Sequence, residues 1–457
     1  MNENVLGIDL GTSSVKILQR FRDGRTEKAK AVYPQISLCG WWEALCQALS
    51  QLDLSRTVAI GLSSQVGTYI VNDRDVISWN DPVGAEEVAQ IKEAYPAELF
   101  LREISMEHPQ IASYPIPRLK YIKEHYGKIA TVCQPKDFLC ERLTGNRVTD
   151  PYSWRGLANL ETGAYSKFFL DALEICPKVL PKMIGYAEIA GYTQEKETAL
   201  PAGIPVYVGL NDYYAALVGM GVEKEGDLFD ISGTSEHLGV LQEECAKGTP
   251  MVSGPYLWQN VHYGVTASSG AANDFALQLG DGVFDMEDVK HQKPPIFLPY
   301  LKGERAPVWD ADARGVFFGI EAGCKRELLS YAVFEGVIFS LYHIYETMGK
   351  PPVTAMTVAG GAAVNDCLNM LKAEMFGVPI KTLEEQDTSA LGAALVAAVG
   401  AGWYADLTAA MQDAVRIKKT VTPTLAYNAW LKKRYWIYKE LYPAVKSQYK
   451  TLKELEL

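Results

Sequence analysis

Val5–Lys16, VLGIDLGTSSVK, is an apolar strand (Val5, Leu6, Ile8) that ends in an acid, Asp9. It turns through Gly11-Thr12-Ser13-Ser14, and Val15-Lys16-Ile17-Leu18 resumes an apolar run. An acid beside such a turn suits a phosphate tail with a bound metal. Glycine lets the backbone approach closely, amide and hydroxyl groups donate to phosphate oxygens, and the carboxylate faces Mg2+ or its waters. The same residues also read as a plain hairpin with a surface Asp, so the weight falls on what recurs further along.

It does recur. Leu228-Phe229-Asp230-Ile231 is a second strand that runs into Ser232-Gly233-Thr234-Ser235. One strand and small-residue turn in each half of the chain would let two domains grip opposite sides of one phosphate chain. A length of 457 residues exceeds what one core usually supports, which independently predicts two domains. The connector Gly221–Asp227, GVEKEGD, is charged and punctuated by glycine, and the expected division is 1–224 and 225–457.

Composition excludes several classes. A hydrophobic share of 48% with 22% charged residues is that of a globular protein. A net charge of −11 argues against a nucleic-acid surface, which needs basic stripes. The opening MNENVLGIDL lacks a basic segment followed by a long apolar core, so no secretory signal is expected. No run of about 18 apolar residues predicts a membrane span. The cysteines are scattered with no C-x-x-C pair, and the histidines form no ligand pair, so reduced thiols in a cytoplasmic protein are expected.

Along the chain, Trp41–Leu52 has helical spacing and Thr57–Leu62 is a short strand, which together predict α/β layering. Ser78–Gly84, SWNDPVG, sets Trp79 beside Asn80 and Asp81. A ring face packs on sugar C–H groups while amide and carboxylate oxygens bind hydroxyls; a turn with a Trp anchor uses the same residues. Val206–Leu210 is a strand ending at Asn211-Asp212, and Tyr213 begins a helix. Asp212 there can accept a proton from an alcohol, or Asn211 or Asp212 can be a helix cap. Gly360-Gly361 follows the strand Thr357–Ala359, where a flat base or ribose can come close to the backbone, or a helix can pack tightly. Glu327–Glu346 is a long apolar helix, Ser389–Ala398 is a small-residue helix suited to close packing, and Ala426–Leu441 is an amphipathic C-terminal helix.

Taken in order, IDLGTSSVK, SWNDPVG, GLNDYYAALVGMGV, DISGTSEHLG, SSGAANDF, FLPYLKGERAPVWDADARGVFFGI and VAGGAAVNDCLNMLKAEMFGVPI resemble the FGGY family of carbohydrate kinases over nearly the whole chain, in its xylulokinase- and gluconokinase-like branch. The resemblance implies an α/β fold of two actin/hexokinase-like (ribonuclease H-like) ATPase domains with ATP between them. It implies ATP-dependent phosphorylation of a hydroxyl of a ketose, polyol or sugar acid. Asp212 would be the general base and Asp9 the Mg2+ residue. Gly11, Thr12, Ser13 and Lys16 would line the first phosphate turn, and Gly233 and Thr234 the second. Gly270, Gly360, Gly361 and Asn365 would lie near the nucleotide, and Gln65, Trp79, Asn80, Asp81, Asp212 and Tyr213 near the sugar. A homodimer is the family-level expectation.

The departures are specific. Gln65-Val66-Gly67 stands where xylulose kinases resemble one another in Gln-Met-His and glycerol kinases in Gln-Arg-Glu. The loop of Trp79 ends Asp81-Pro82-Val83 without its usual arginine, and Tyr213 stands where glycerol kinases have Gln. Glycerol and D-xylulose are therefore not the expected substrates, and the smaller pair Val66-Gly67 leaves room for a bulkier or differently polar one. His237 reads as a packed histidine or as a phosphate or substrate contact. Two alternatives share the fold: an ATP-regulated binding or scaffold protein, and a kinase of a non-sugar hydroxy compound.

Overall fold

β1 (Asn4–Leu10) is buried along its whole length and lies in the middle of a six-stranded sheet. It pairs antiparallel with β2 (Ser14–Phe21), which pairs antiparallel with β3 (Thr26–Val32). On its other side it pairs parallel with β4 (Thr57–Ser64), followed by the parallel strand Pro205–Asn211 and the antiparallel edge Ile189–Tyr192. The structure, a computed structural model, describes residues 3–106, 108–194, 198–233, 235–244 and 250–455.

Side chains alternate across a strand, and that alternation sorts β1 into two faces. Leu6, Ile8 and Leu10 share a core with Trp41 and Leu45 of the helix Leu38–Leu49. Gly7 and Asp9 face the other way. On that side the helix Thr388–Gly400 lies so close that a Cβ at Gly7 would stand 1.9 Å from the Ala390 carbonyl oxygen, and one at Gly61 of β4 2.0 Å from that of Ala393. The same helix meets the helix Asp212–Gly219 backbone to backbone, since a Cβ at Gly392 would fall 1.9 Å from the Ala215 oxygen. Small residues are what permit this approach, as the run SALGAALVAA predicts. Replacing Gly61 by Ala forces strand and helix apart and lowers stability by about 2 kcal/mol. A denaturant midpoint equal to that of the parent would refute that.

This packing corrects the expected division of the chain. The two compact units are Met1–Gly221 with Asp387–Val415, and Val222–Gln386 with Arg416–Leu457. Residues 387–415 therefore belong with the first unit, although a single break near residue 224 assigns them to the second. Their small side chains fit the glycine-bearing face of the first sheet.

The second unit repeats the sheet order of the first. Leu228–Ser232 pairs antiparallel with Glu236–Gln242, which pairs antiparallel with Gln259–Val265. On the other side come the parallel strands Met356–Gly360 and Ile380–Leu383 and the antiparallel edge Ile417–Val421. An added strand, Val252–Tyr256, extends the far edge. The two small-residue turns thus occupy equivalent places, each joining the central strand of its sheet to its antiparallel neighbour.

Helix Arg326–Thr347 is, among the described residues, the one helix long and apolar enough to cross a membrane by length and composition. In the fold 89% of that apolar window is buried, and Phe339, Leu341 and Ile344 belong to the core of the second unit. The C-terminal helix runs from Asn428 to Leu455, well past the expected Leu441, and buries Leu431, Tyr435, Tyr438, Leu441 and Tyr449.

Candidate active site

Asp9 ends the buried strand β1 on its helix-facing side and is 7% exposed. Ser63, its parallel-register neighbour on β4, donates its hydroxyl to Asp9 Oδ1 at 2.9 Å. Burial pushes the Asp9 carboxyl above its usual range; Ser63 and Lys16 pull it back, and Asp387 adds to the rise. Lys16 is directly opposite Asp9 on β2 and reaches Asp387 at 2.8 Å, where Lys28 also arrives at 3.2 Å. Burial opposes ionisation of Asp387, but the two ammonium groups hold its carboxyl below the usual range. A solvent-accessible pocket of about 280 Å³ lies beside this group, lined by Lys16, Lys28, Lys30 and Asp387.

Asp212 is the first residue of the helix Asp212–Gly219. The cap belongs to Asn211, whose side-chain oxygen accepts from the Tyr214 amide at 2.9 Å and whose amide donates to the Tyr152 carbonyl at 2.9 Å. Asp212 is thereby relieved of capping. Its Oδ1 accepts from the Tyr213 amide at 2.8 Å, and its backbone carbonyl accepts from the Ser389 hydroxyl at 3.0 Å. Burial, then the charge of Asp9, push its carboxyl up to about 7. A carboxylate with that pKa is matched to taking a proton near neutral pH.

The turn Gly11–Ser13 is tied at both ends. Gly11 donates its amide to the Ser14 carbonyl at 3.0 Å, and the Tyr33 hydroxyl donates to the Gly11 carbonyl. Thr12 and Ser13 are exposed. Thr12 Oγ1 donates to Gln65 Oε1 at 3.4 Å, while Gln65, only 2% exposed, has its Nε2 buried without an acceptor among the described residues. An orphaned amide donor beside the Gly11–Ser13 turn is a place for a ligand oxygen.

The Trp79 loop is held from below. Trp79 donates its amide to Thr68 Oγ1 at 3.1 Å, and the Asp81 carboxylate accepts from the Val83 amide at 3.1 Å. Trp79 and Asp81 are half-buried and Asn80 is exposed. Arg118, wholly buried, donates to the Asp81 carbonyl at 3.2 Å and the Ser78 carbonyl at 3.4 Å. A guanidinium from another helix thus grips the loop that lacks its own arginine. The expected room at Gly67 is not there. Gly67 is buried, its amide donates to Gln134 Oε1 at 3.0 Å, and a Cβ would meet Ser113 at 3.0 Å. Ser113 fills the space that the missing side chain leaves. Tyr213 is half-buried, its ring against Tyr214.

Lys136 and Arg155 are among the buried cations that escape a reading of sequence alone. Lys136, with no exposed surface, donates to Asp150 and, at 2.9 Å, to the Gly209 carbonyl, so it braces the strand two residues before Asn211. Arg155, 7% exposed, donates to the Tyr214 hydroxyl. The available signal was a long cation placed among apolar helix or loop residues, which is otherwise common on surfaces.

In the second unit, Gly233 closes its turn by donating to the Ser235 carbonyl at 3.0 Å; Thr234 lies outside the described residues. Gly360 has φ +89°, and a Cβ there would stand 1.9 Å from the Ser232 carbonyl oxygen, so only glycine fits. Ser232 Oγ donates to the Ala359 carbonyl at 3.0 Å and accepts from the Ala362 amide at 2.9 Å, which locks the two strand ends together. Gly361 is exposed, with open space where a side chain would be. Asn365 caps the helix Asp366–Phe376 and donates to the Gly282 carbonyl at 3.4 Å. Gly270 is the half-buried second residue of the helix Ser269–Leu279. His237 packs its ring against Tyr263, and burial with the nearby Arg305 lowers its pKa to about 4, so it is neutral at physiological pH.

Comparison with known proteins converges. Residues 4–219 match the N-terminal domain, and residues 230–401 the C-terminal domain, described as the FGGY family of carbohydrate kinases. The chain is 27% identical to the xylulose kinase of Staphylococcus xylosus, across 96% of this chain and 99% of that one. It is 28% identical to the L-xylulose/3-keto-L-gulonate kinase of Escherichia coli, across 99% of each. Among solved structures it is similar to the gluconate kinase from Lactobacillus acidophilus, with a TM-score of 0.87 at 24% identity over 99% of this chain and 100% of that one. The likeness of fold establishes the two-domain actin/hexokinase-like architecture.

Proposed function

Because the chain belongs to the FGGY family of carbohydrate kinases, we propose that it transfers the terminal phosphoryl group of ATP to a hydroxyl of a small carbohydrate, with Asp212 as the general base. The observation that carries this is the relief of Asp212 from capping. Asn211 takes the helix amide, and the Asp212 carboxyl is left half-buried with a pKa of about 7. A scaffold protein has no need of a base so poised.

The residues fit the groups such a reaction needs. Asp9 is a buried carboxylate with a single hydroxyl donor, a suitable partner for Mg2+ or its waters. Bound Mg2+ would neutralise charge on the phosphate oxygens. Gly11, Thr12, Ser13 and Lys16 in the first unit, and Gly233 with Thr234 in the second, would hold the phosphate oxygens. Gly270, Gly360, Gly361 and Asn365 would receive the nucleoside, for which Gly361 has open space. Gln65 Nε2, Trp79, Asn80, Asp81 and Tyr213 would orient the sugar so that one hydroxyl meets Asp212. Alignment and charge neutralisation dominate phosphoryl transfer, and a positioned base adds to them.

Relatives named for xylulose, L-xylulose, 3-keto-L-gulonate and gluconate support a ketose, polyol or sugar acid as acceptor. The seven described cysteines are all free thiols, which supports a reducing, cytoplasmic setting. A homodimer is the family-based expectation. The deciding experiment measures ADP release against a panel of ketoses, polyols, aldonates and deoxy-sugars. One class is expected to exceed glycerol and D-xylulose by about a hundredfold (~2.7 kcal/mol). ADP release that no carbohydrate stimulates would replace the kinase reading with that of an ATP-regulated binding protein.

A further inference from the structure

Away from the candidate active site, Glu87 of the helix Ala85–Ala94 and Glu124 and His125 at the end of the helix Pro115–His125 bring one ligand atom each within 4.8 Å of one another. We propose that these three side chains form a zinc site that ties the two helices together.

Three features distinguish this group from a chance gathering of surface acids. First, Glu87 is 5% exposed, yet no hydrogen bond or ion pair reaches its carboxylate among the described residues. The Arg118 guanidinium is the counter-charge that acts on Glu87, without an ion pair between them, and a bound cation would give the buried carboxylate a direct partner. Second, His125 Nδ1 is 2.9 Å from the Tyr121 carbonyl, so that nitrogen carries the proton. Nε2 keeps the lone pair, and the ring is further fixed by stacking on Tyr121 at 4.1 Å. A backbone carbonyl that sets the tautomer is the usual outer support of a metal-binding imidazole. Third, the donors come from two helices, so one ion would cross-link elements far apart in sequence.

The donor set selects the metal. One imidazole and two carboxylates suit Zn2+, with its fourth position left to water. Ca2+ and Mg2+ take six or more oxygens, which this group does not offer. The charges facing the site are compatible. Lys120, itself half-buried, now pairs with Glu124 one turn away, and a divalent ion would have to displace it. Arg118, on the same helix, hydrogen-bonds the Ser78 and Asp81 carbonyls, and its charge also acts on Glu87. The ion would therefore join the helix that follows the Trp79 loop to the helix whose arginine holds that loop.

The test is zinc titration by calorimetry on the whole protein after chelator treatment, comparing the parent with His125→Ala and with Glu124→Gln/His125→Ala. Both positions are exposed, so the variants are expected to fold, which circular dichroism checks. The parent should bind one more zinc than the double variant, and His125→Ala should weaken that site at least tenfold. Zinc held by cysteines or by the Asp9 group cancels in the difference. The melting temperature should rise with zinc in the parent and by less in the double variant. X-ray absorption should show one imidazole with oxygen donors. Equal stoichiometry and affinity in parent and double variant would overturn the site, as would a parent-minus-variant difference spectrum with no imidazole and oxygen donors.

Discussion

Asp212→Asn is expected to lower turnover by about three to four orders of magnitude while leaving Mg-ATP binding close to that of the parent. The substitution keeps the shape of the side chain and an oxygen that can still accept from the Tyr213 amide. It removes the ability to take a proton from the acceptor hydroxyl. Asn211 remains as the cap, so the helix should keep its start and the loss should not be one of folding. Turnover by sugar-dependent ADP release and nucleotide affinity by calorimetry separate the two effects. Turnover within tenfold of the parent would remove Asp212 from the role of base.

The pH profile gives an independent check on the same residue. The base acts when ionised, so kcat/KM should fall tenfold per unit as pH drops below the Asp212 pKa, about 7 in the free protein. Burial is the largest cause of that rise, and the negative charge of Asp9 is the next. A cation held at Asp9 removes the second contribution, so the acid limb should move to lower pH as Mg2+ is raised toward saturation. The Asn variant should lose this limb.

The architecture was legible where local chemistry and long-range packing agree. The turns at Gly11–Ser13 and Gly233–Ser235 are readable because the same strand and small-residue turn recurs in each half of the chain. The helix Thr388–Gly400 is readable because its alanines and glycines have little purpose except close approach. Its place in the first unit was not readable, because adjacency in sequence points to the second. Arg118, Lys136 and Lys372 were hidden for another reason. A cation in a helix reads as solvent-facing, and only the folded chain brings the carbonyls of Ser78 and Gly209, or the carboxylate of Asp230, to meet it. The room expected at Gly67 failed in the same way, since Ser113 arrives from a distant segment to fill it.

Lys372→Met is expected to be the most destabilising of the substitutions considered, by about 3–5 kcal/mol at neutral pH. Lys372, 1% exposed on the helix Asp366–Phe376, donates to Asp230 and, at 3.0 Å, to Glu236 Oε1. Those carboxylates flank the Gly233 turn on its two strands, and both are fully buried. One ammonium serves two acids, and burial together with Glu236 raises the Asp230 carboxyl to about 7. Methionine fills the volume but leaves two like charges in the interior with no counter-ion. Protonation is then the only local relief, which fixes the sign of the pH dependence. In the variant the folded state takes up protons that the unfolded chain, with ordinary carboxyl pKa values, does not hold at neutral pH. The stability deficit should therefore shrink as pH falls from 8 toward 5.5. Urea unfolding at the two pH values, followed by a probe in the second unit, measures it. A deficit below about 1 kcal/mol, or one that does not change with pH, would show that Lys372 is not the counter-charge of this buried pair.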